Sequence, residues 1–121
     1  MYHNLLNNYI MTIQEKRRIA AILYEAKIKE EEIINLLKKY CNIDYEEAVN
    51  LLQNEKFVDA PCRRLEQFLI LEKGYSYKDT YVFINKYVIN ILTKNTELSK
   101  ITPLKLYDLA MEYKKKKENN D

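Results

Sequence analysis

The sequence predicts an all-α fold: a compact bundle of about six short helices joined by tight helix-turn-helix connections. Three observations carry that expectation. Glycine occurs once and proline twice in 121 residues, so few positions are built to break a helix. Apolar residues recur at the i, i+3, i+4, i+7 spacing of one helical face. A helix-closing turn also recurs along the chain. Residues 26–37 (AKIKEEEIINLL) and 41–52 (CNIDYEEAVNLL) share its pattern, which continues in kind at 73–84 and 99–109.

Each turn has three parts. A helix-ending residue comes first (Lys27, Asn42, Gly74, Lys100), then an apolar residue that folds back on the flanking helices (Ile28, Ile43, Tyr75, Ile101). A capping position follows (Lys29, Asp44, Ser76, Thr102). Glycine and asparagine tolerate the left-handed conformation that closes a helix. Asp, Ser and Thr accept a hydrogen bond from the next helix's free amides, worth about 1 kcal/mol per cap. Thr12 with Glu15, and Asp44 with Glu47, have capping-box spacing.

Between these signals the elements follow in order. The first helix spans about 13–26 with Ile19, Ile22, Leu23 and Ala26 inward. The second, about 30–40, buries Ile33, Leu36, Leu37 and Tyr40, with Cys41 packed at its end. The third, about 45–55, buries Ala48, Leu51 and Leu52. A short link over Lys56–Ala60 ends at Pro61, which opens the fourth helix with Leu65, Phe68, Leu69 and Leu71 inward. The fifth, about 77–92, is apolar nearly all round and is expected at the centre of the bundle. Its β-branched run also suits a strand, but the Ser76 cap and the length favour helix. The sixth, 103–117, starts at Pro103 and buries Leu104, Leu106, Tyr107, Ala110 and Met111. The length fits one domain over 12–117, with residues 1–11 an N-terminal extension able to hold a short helix and 118–121 a disordered tail.

Composition excludes most catalytic classes. The chain has one histidine, His3, and two serines, Ser76 and Ser99, so a Ser/His/Asp triad has a single base available near the N-terminus. A Cys/His pair has the same lone base for Cys41 or Cys62. One histidine and two cysteines 21 residues apart do not close a four-ligand zinc site. Gly74 alone makes no phosphate loop. The 18 carboxylates read as the solvated surface of a helical protein. No catalytic residue, metal or cofactor is therefore expected, and the protein reads as not an enzyme.

The first ten residues lack a basic segment followed by an apolar run, and no stretch approaches membrane-spanning length. These features, with cysteines outside any CxxC spacing, lead to an expectation of a cytoplasmic protein with reduced thiols and no membrane association. Richness in Lys, Ile, Asn and Tyr, whose codons are AT-rich, points to a low-GC genome.

The expected function is binding. Eleven tyrosines exceed what a core of this size comfortably satisfies, so some are expected at the surface, where tyrosine favours interfaces. The first reading is a small non-enzymatic helical protein acting through a protein partner, such as a phage or mobile-element regulator or inhibitor of a host system. A homodimer through the fifth helix is a corollary. The alternative is a helix-turn-helix-type nucleic-acid-binding protein using the Gly74 turn and the fifth helix. Residues 61–121 carry 12 basic and 8 acidic groups, net +4, against 8 and 10, net −2, in residues 1–60. In the first two turns, Glu30–Glu32 and Glu46–Glu47 would face the phosphates and repel a duplex. Only the third offers suitable chemistry. Its contact residues, for either partner class, are Arg63, Arg64, Tyr77, Lys78, Tyr81 and Lys86. Against the nucleic-acid alternative, Tyr81 and Ile84 are expected to share a face that the core needs. Residues 40–52, YCNIDYEEAVNLL, resemble the loop and following helix of ubiquitin-associated-type three-helix domains. That likeness covers about a tenth of the chain through generic capping chemistry, and no binding residue is carried over from it.

Overall fold

The computed structural model describes residues 10–120. Its helices are α1 (Ile13–Glu25), α2 (Glu30–Cys41), α3 (Tyr45–Asn54), α4 (Ala60–Leu71), α5 (Tyr77–Phe83), α6 (Ile89–Lys94) and α7 (Pro103–Asn120). A π turn, Glu55–Asp59, carries α3 into α4, and another, Ile84–Val88, carries α5 into α6. A 3-10 turn, Thr96–Lys100, precedes α7. Among the described residues there is no strand, so the all-α expectation is borne out, with five helical stretches where about six were expected.

The missing break lies at Lys56–Ala60. Proline lacks the N–H for an α-helical bond, and its ring crowds the carbonyl four residues back. The π turn immediately before Pro61 widens the backbone by one residue, so helical geometry continues past it. Packing gathers the described residues into two units, one ending at Lys56 and one beginning at Phe57, each with its own apolar core. Of the extension expected over 1–11, residues 1–9 lie outside the described residues. Met11 packs on the first unit's core. At the other end α7 continues to Asn120, through residues expected to be disordered; Asp121 lies outside the description.

In the first unit α1, α2 and α3 enclose Ala20, Ile33, Leu37, Cys41, Ala48, Leu51 and Leu52. Ala20 and Ala48 are completely buried in this core. Ala20 turns inward with Ile19, Leu23 and Tyr24 beside it, while Ile22, expected in the core, is 60% exposed and Ala26 is exposed too. In α2 the buried row is Ile33, Leu37 and Cys41 at a spacing of four, which leaves Tyr40 outside instead of in the core. Lys16 pairs with Glu47 at 3.2 Å and Lys56 with Glu30 at 2.9 Å.

In the second unit the core is Leu65, Leu69, Phe83, Ile84, Val88, Leu92, Leu106 and Ala110. The helical stretch 77–94 supplies half of it, which gives that stretch its expected central place in this unit. Its inward row is Thr80, Ile84, Val88 and Leu92, at a strict spacing of four. A straight α-helix, with about 3.6 residues per turn, rotates such a row by about 40° at each step. The π turn at Ile84–Val88 takes up that drift and keeps all four side chains on the core. Asn85 Nδ2 donates to the Tyr81 carbonyl at 2.8 Å and Asn90 Nδ2 to the Lys86 carbonyl at 3.2 Å, bracketing the wide turn. Leu71 of α4 is 78% exposed and Leu104 of α7 is exposed, where both were expected inward. In each helix the core takes the row at i, i+4 (Leu65 and Leu69; Leu106 and Ala110) and leaves the neighbouring row outside.

The recurring turns form largely as their chemistry dictates. Lys27, Asn42 and Gly74 adopt φ of 60°, 55° and 71°. Thr12 and Glu15 complete a reciprocal capping box, the Thr12 Oγ1 accepting from the Glu15 amide at 3.1 Å and Glu15 Oε1 from the Thr12 amide at 3.2 Å. Asp44 and Thr102 accept from the Glu47 and Lys105 amides, whereas Lys29 provides no side-chain cap. The fourth turn departs from the expectation. Helix α6 closes at Asn95 in an extended conformation, and Lys100 ends the 3-10 turn without entering the left-handed region.

Candidate binding surface

The Gly74 turn sets the geometry of the candidate surface. Tyr75 folds back, its amide donating to the Leu69 carbonyl at 2.9 Å. Its ring meets Phe83 and Tyr107 edge-on at 6.0 and 6.3 Å. The Tyr75 and Tyr107 hydroxyls share a hydrogen bond of 3.2 Å, and Lys73 Nζ lies 5.2 Å from the centre of the Tyr107 ring. Burial, then the Tyr107 hydroxyl and the nearby Asp79 carboxylate, pushes the Tyr75 phenol up to about 12. Ser76 Oγ accepts from the Asp79 amide at 3.0 Å and starts α5. The turn is thus fixed on its inner side by an aromatic cluster and on its outer side by a cap.

With Thr80, Ile84, Val88 and Leu92 held on the core, the opposite side of 77–94 faces water. Two neighbouring rows stand there, Tyr77, Tyr81 and Asn85 on one and Lys78, Val82, Lys86 and Asn90 on the other, all exposed. Both repeat every four residues, so the π turn that aligns the buried row aligns these as well. Tyr77 is 78% exposed and Tyr81 70%. The expectation that Tyr81 is needed by the core is therefore corrected: Thr80 and Ile84 take the inward positions and Tyr81 points out. Among the described residues neither Lys78 nor Lys86 forms an ion pair.

Four of the six expected contact residues, Tyr77, Lys78, Tyr81 and Lys86, thus share one face. Arg64 does not join them, and Arg63 is half-buried on α4. Arg64 donates to the Ser99 carbonyl at 3.0 Å, just beyond the far end of the 77–94 helix. At about 1.5 Å per residue, that end is roughly 27 Å from Tyr77. Val82, Asn85 and Asn90 were missed in the sequence, although the strict four-residue spacing of Thr80, Ile84, Val88 and Leu92 implies the exposed rows.

The side chains weighed for catalysis have other positions. Ser76 is a cap, and Ser99 Oγ donates to the Thr96 carbonyl at 2.8 Å. Cys41 is buried, and burial, opposed by Lys16 and reinforced by Glu47, pushes its thiol up. His3 lies outside the described residues. Among the described residues no group of three or more His, Cys, Asp or Glu could hold a metal ion, and no helix is long and apolar enough to cross a membrane. In comparisons with known proteins the chain matches no family model, no curated protein and no solved structure.

Proposed function

We propose that the protein is a non-enzymatic binding protein whose contact surface is the outward face of the 77–94 helix. The observation that supports this most directly is the exposure of Tyr77 and Tyr81 beside two ammonium groups that form no ion pair among the described residues. Exposing two large rings on a well-packed helix forgoes hydrophobic stabilisation, and aromatic anchors of this kind recur in macromolecular interfaces. The tyrosines suit a protein partner, the first reading, whereas the exposed lysines and asparagines beside them suit nucleic acid. Nucleic acid is the second reading, and the outward position of Tyr81 removes the objection the sequence raised against it. The test is a photocrosslinking residue placed at Tyr81, or for comparison at Tyr40 in the other unit, with lysate in nuclease-treated and untreated arms. Crosslinks at Tyr81 but not at Tyr40, abolished by Tyr77→Ala, support the surface. Equal labelling at both positions refutes it.

A further inference from the structure

Resting on that surface, we infer that its occupant is a nucleic-acid duplex, with the 77–94 helix lying against a groove lined by phosphates. The argument begins with composition. Outward from the Gly74 turn the helix presents hydroxyls at Tyr77 and Tyr81, ammonium groups at Lys78 and Lys86, and amides at Asn85 and Asn90. The one exposed aliphatic side chain of the two rows is Val82. Protein interfaces have apolar, lysine-poor centres, whereas phosphate and base edges are met by Lys, Tyr and Asn.

Charge points the same way. Residues 61–121 carry net +4, and the one carboxylate on the exposed first turn is Asp79. Geometry completes the argument. Lys78 and Lys86 stand eight residues apart on one row, about 12 Å along the axis, a span that phosphates along one wall of a groove can meet. With the helix lying along the groove, both ammonium groups can therefore meet one wall while Tyr81 and Asn85, on the neighbouring row, face the base edges. The π turn has a part in this, because an unbroken α-helix would rotate Lys86 away from Lys78 by about 80° over the two steps.

Fluorescence anisotropy of the full chain with a labelled mixed-sequence duplex, over a salt series starting at about 50 mM, tests the inference. The wild type is expected to bind with log affinity falling linearly against log salt. Each of Lys78→Ala and Lys86→Ala should reduce the slope by about one. Lys27→Ala, on the other unit, should leave it unchanged. Circular dichroism confirms that each variant is folded, and the exposed sites make that outcome the expected one. Lack of wild-type binding at the lowest salt overturns the duplex and leaves the surface to a protein. Binding that both lysine variants retain in full overturns the surface itself. Equal competition by polyglutamate overturns the inference in favour of an acidic protein segment.

Discussion

The left-handed residues at the helix ends supply a test in which strain is separable from packing. Gly74 has φ of +71°, and a Cβ built there meets no atom within 4 Å. Gly74→Ala therefore introduces no clash, and its cost is that of the backbone conformation alone. A β-carbon in that region costs about 1–2 kcal/mol. Reduced freedom of the unfolded chain returns about 0.4–1 kcal/mol, so the net loss is about 1 kcal/mol. Lys27, at φ of 60°, is the opposite case. Lys27→Gly relieves the same strain and adds chain freedom to the unfolded state, for a net gain of about 0.5–1 kcal/mol. Urea unfolding followed by circular dichroism measures both. An unchanged m-value is required, since a changed one would signal an altered unfolded state. A neutral or stabilising Gly74→Ala, or a Lys27→Gly that destabilises by as much as glycine in an exposed helix interior, would refute the strain argument.

Three further outcomes follow from the second unit. Leu69→Ala, at a fully buried position, should cost about 2–5 kcal/mol, whereas Leu71→Ala two residues away should change stability by no more than about 0.5 kcal/mol; thermal and urea unfolding of the pair report the contrast. Thr80 Oγ1 is buried without a hydrogen-bond partner among the described residues, so Thr80→Val, which replaces the hydroxyl with a methyl of similar size, should stabilise by about 1 kcal/mol in the same assay. The Tyr75 phenol titrates near 12 in the folded protein against an ordinary value of 10.0, so the fold favours its neutral form. Its contribution is full below pH 10 and is lost as pH rises through 10 towards 12, a decline that unfolding measured across that window should show and Tyr75→Phe should diminish.

What could be read from the chain differs sharply between helix ends and helix faces. The Thr12–Glu15 box and the Asp44 and Ser76 caps form between residues three apart, so their chemistry is complete within a few neighbours. The left-handed positions at Lys27, Asn42 and Gly74 are local in the same way. Faces were less legible. In α1 the row through Ile22 (Arg18, Ala26) and the row through Ala20 (Lys16, Tyr24) are similarly mixed, and nothing within the helix separates them. Burial in one core with Ala48, a residue of another helix, accompanies the choice of Ala20. The same ambiguity hid the candidate surface. Tyr81 is a credible core residue by hydropathy, and only the wide turn at Ile84–Val88 shows that Thr80, the more polar neighbour, takes the inward place. Arg64 was grouped with Lys78 because sequence spacing does not say at which end of a helix a side chain comes to rest.

The sequence by itself determined an all-helical chain, the positions of most of its caps and the left-handed residues that close three of its helices. Those depend on hydrogen bonds and torsional preferences spanning a few residues. Tertiary structure decided which apolar rows are buried, where the helix widens into a π turn and which side chains are left in water. Each of those choices compares faces of nearly equal local energy, and packing against distant residues breaks the tie.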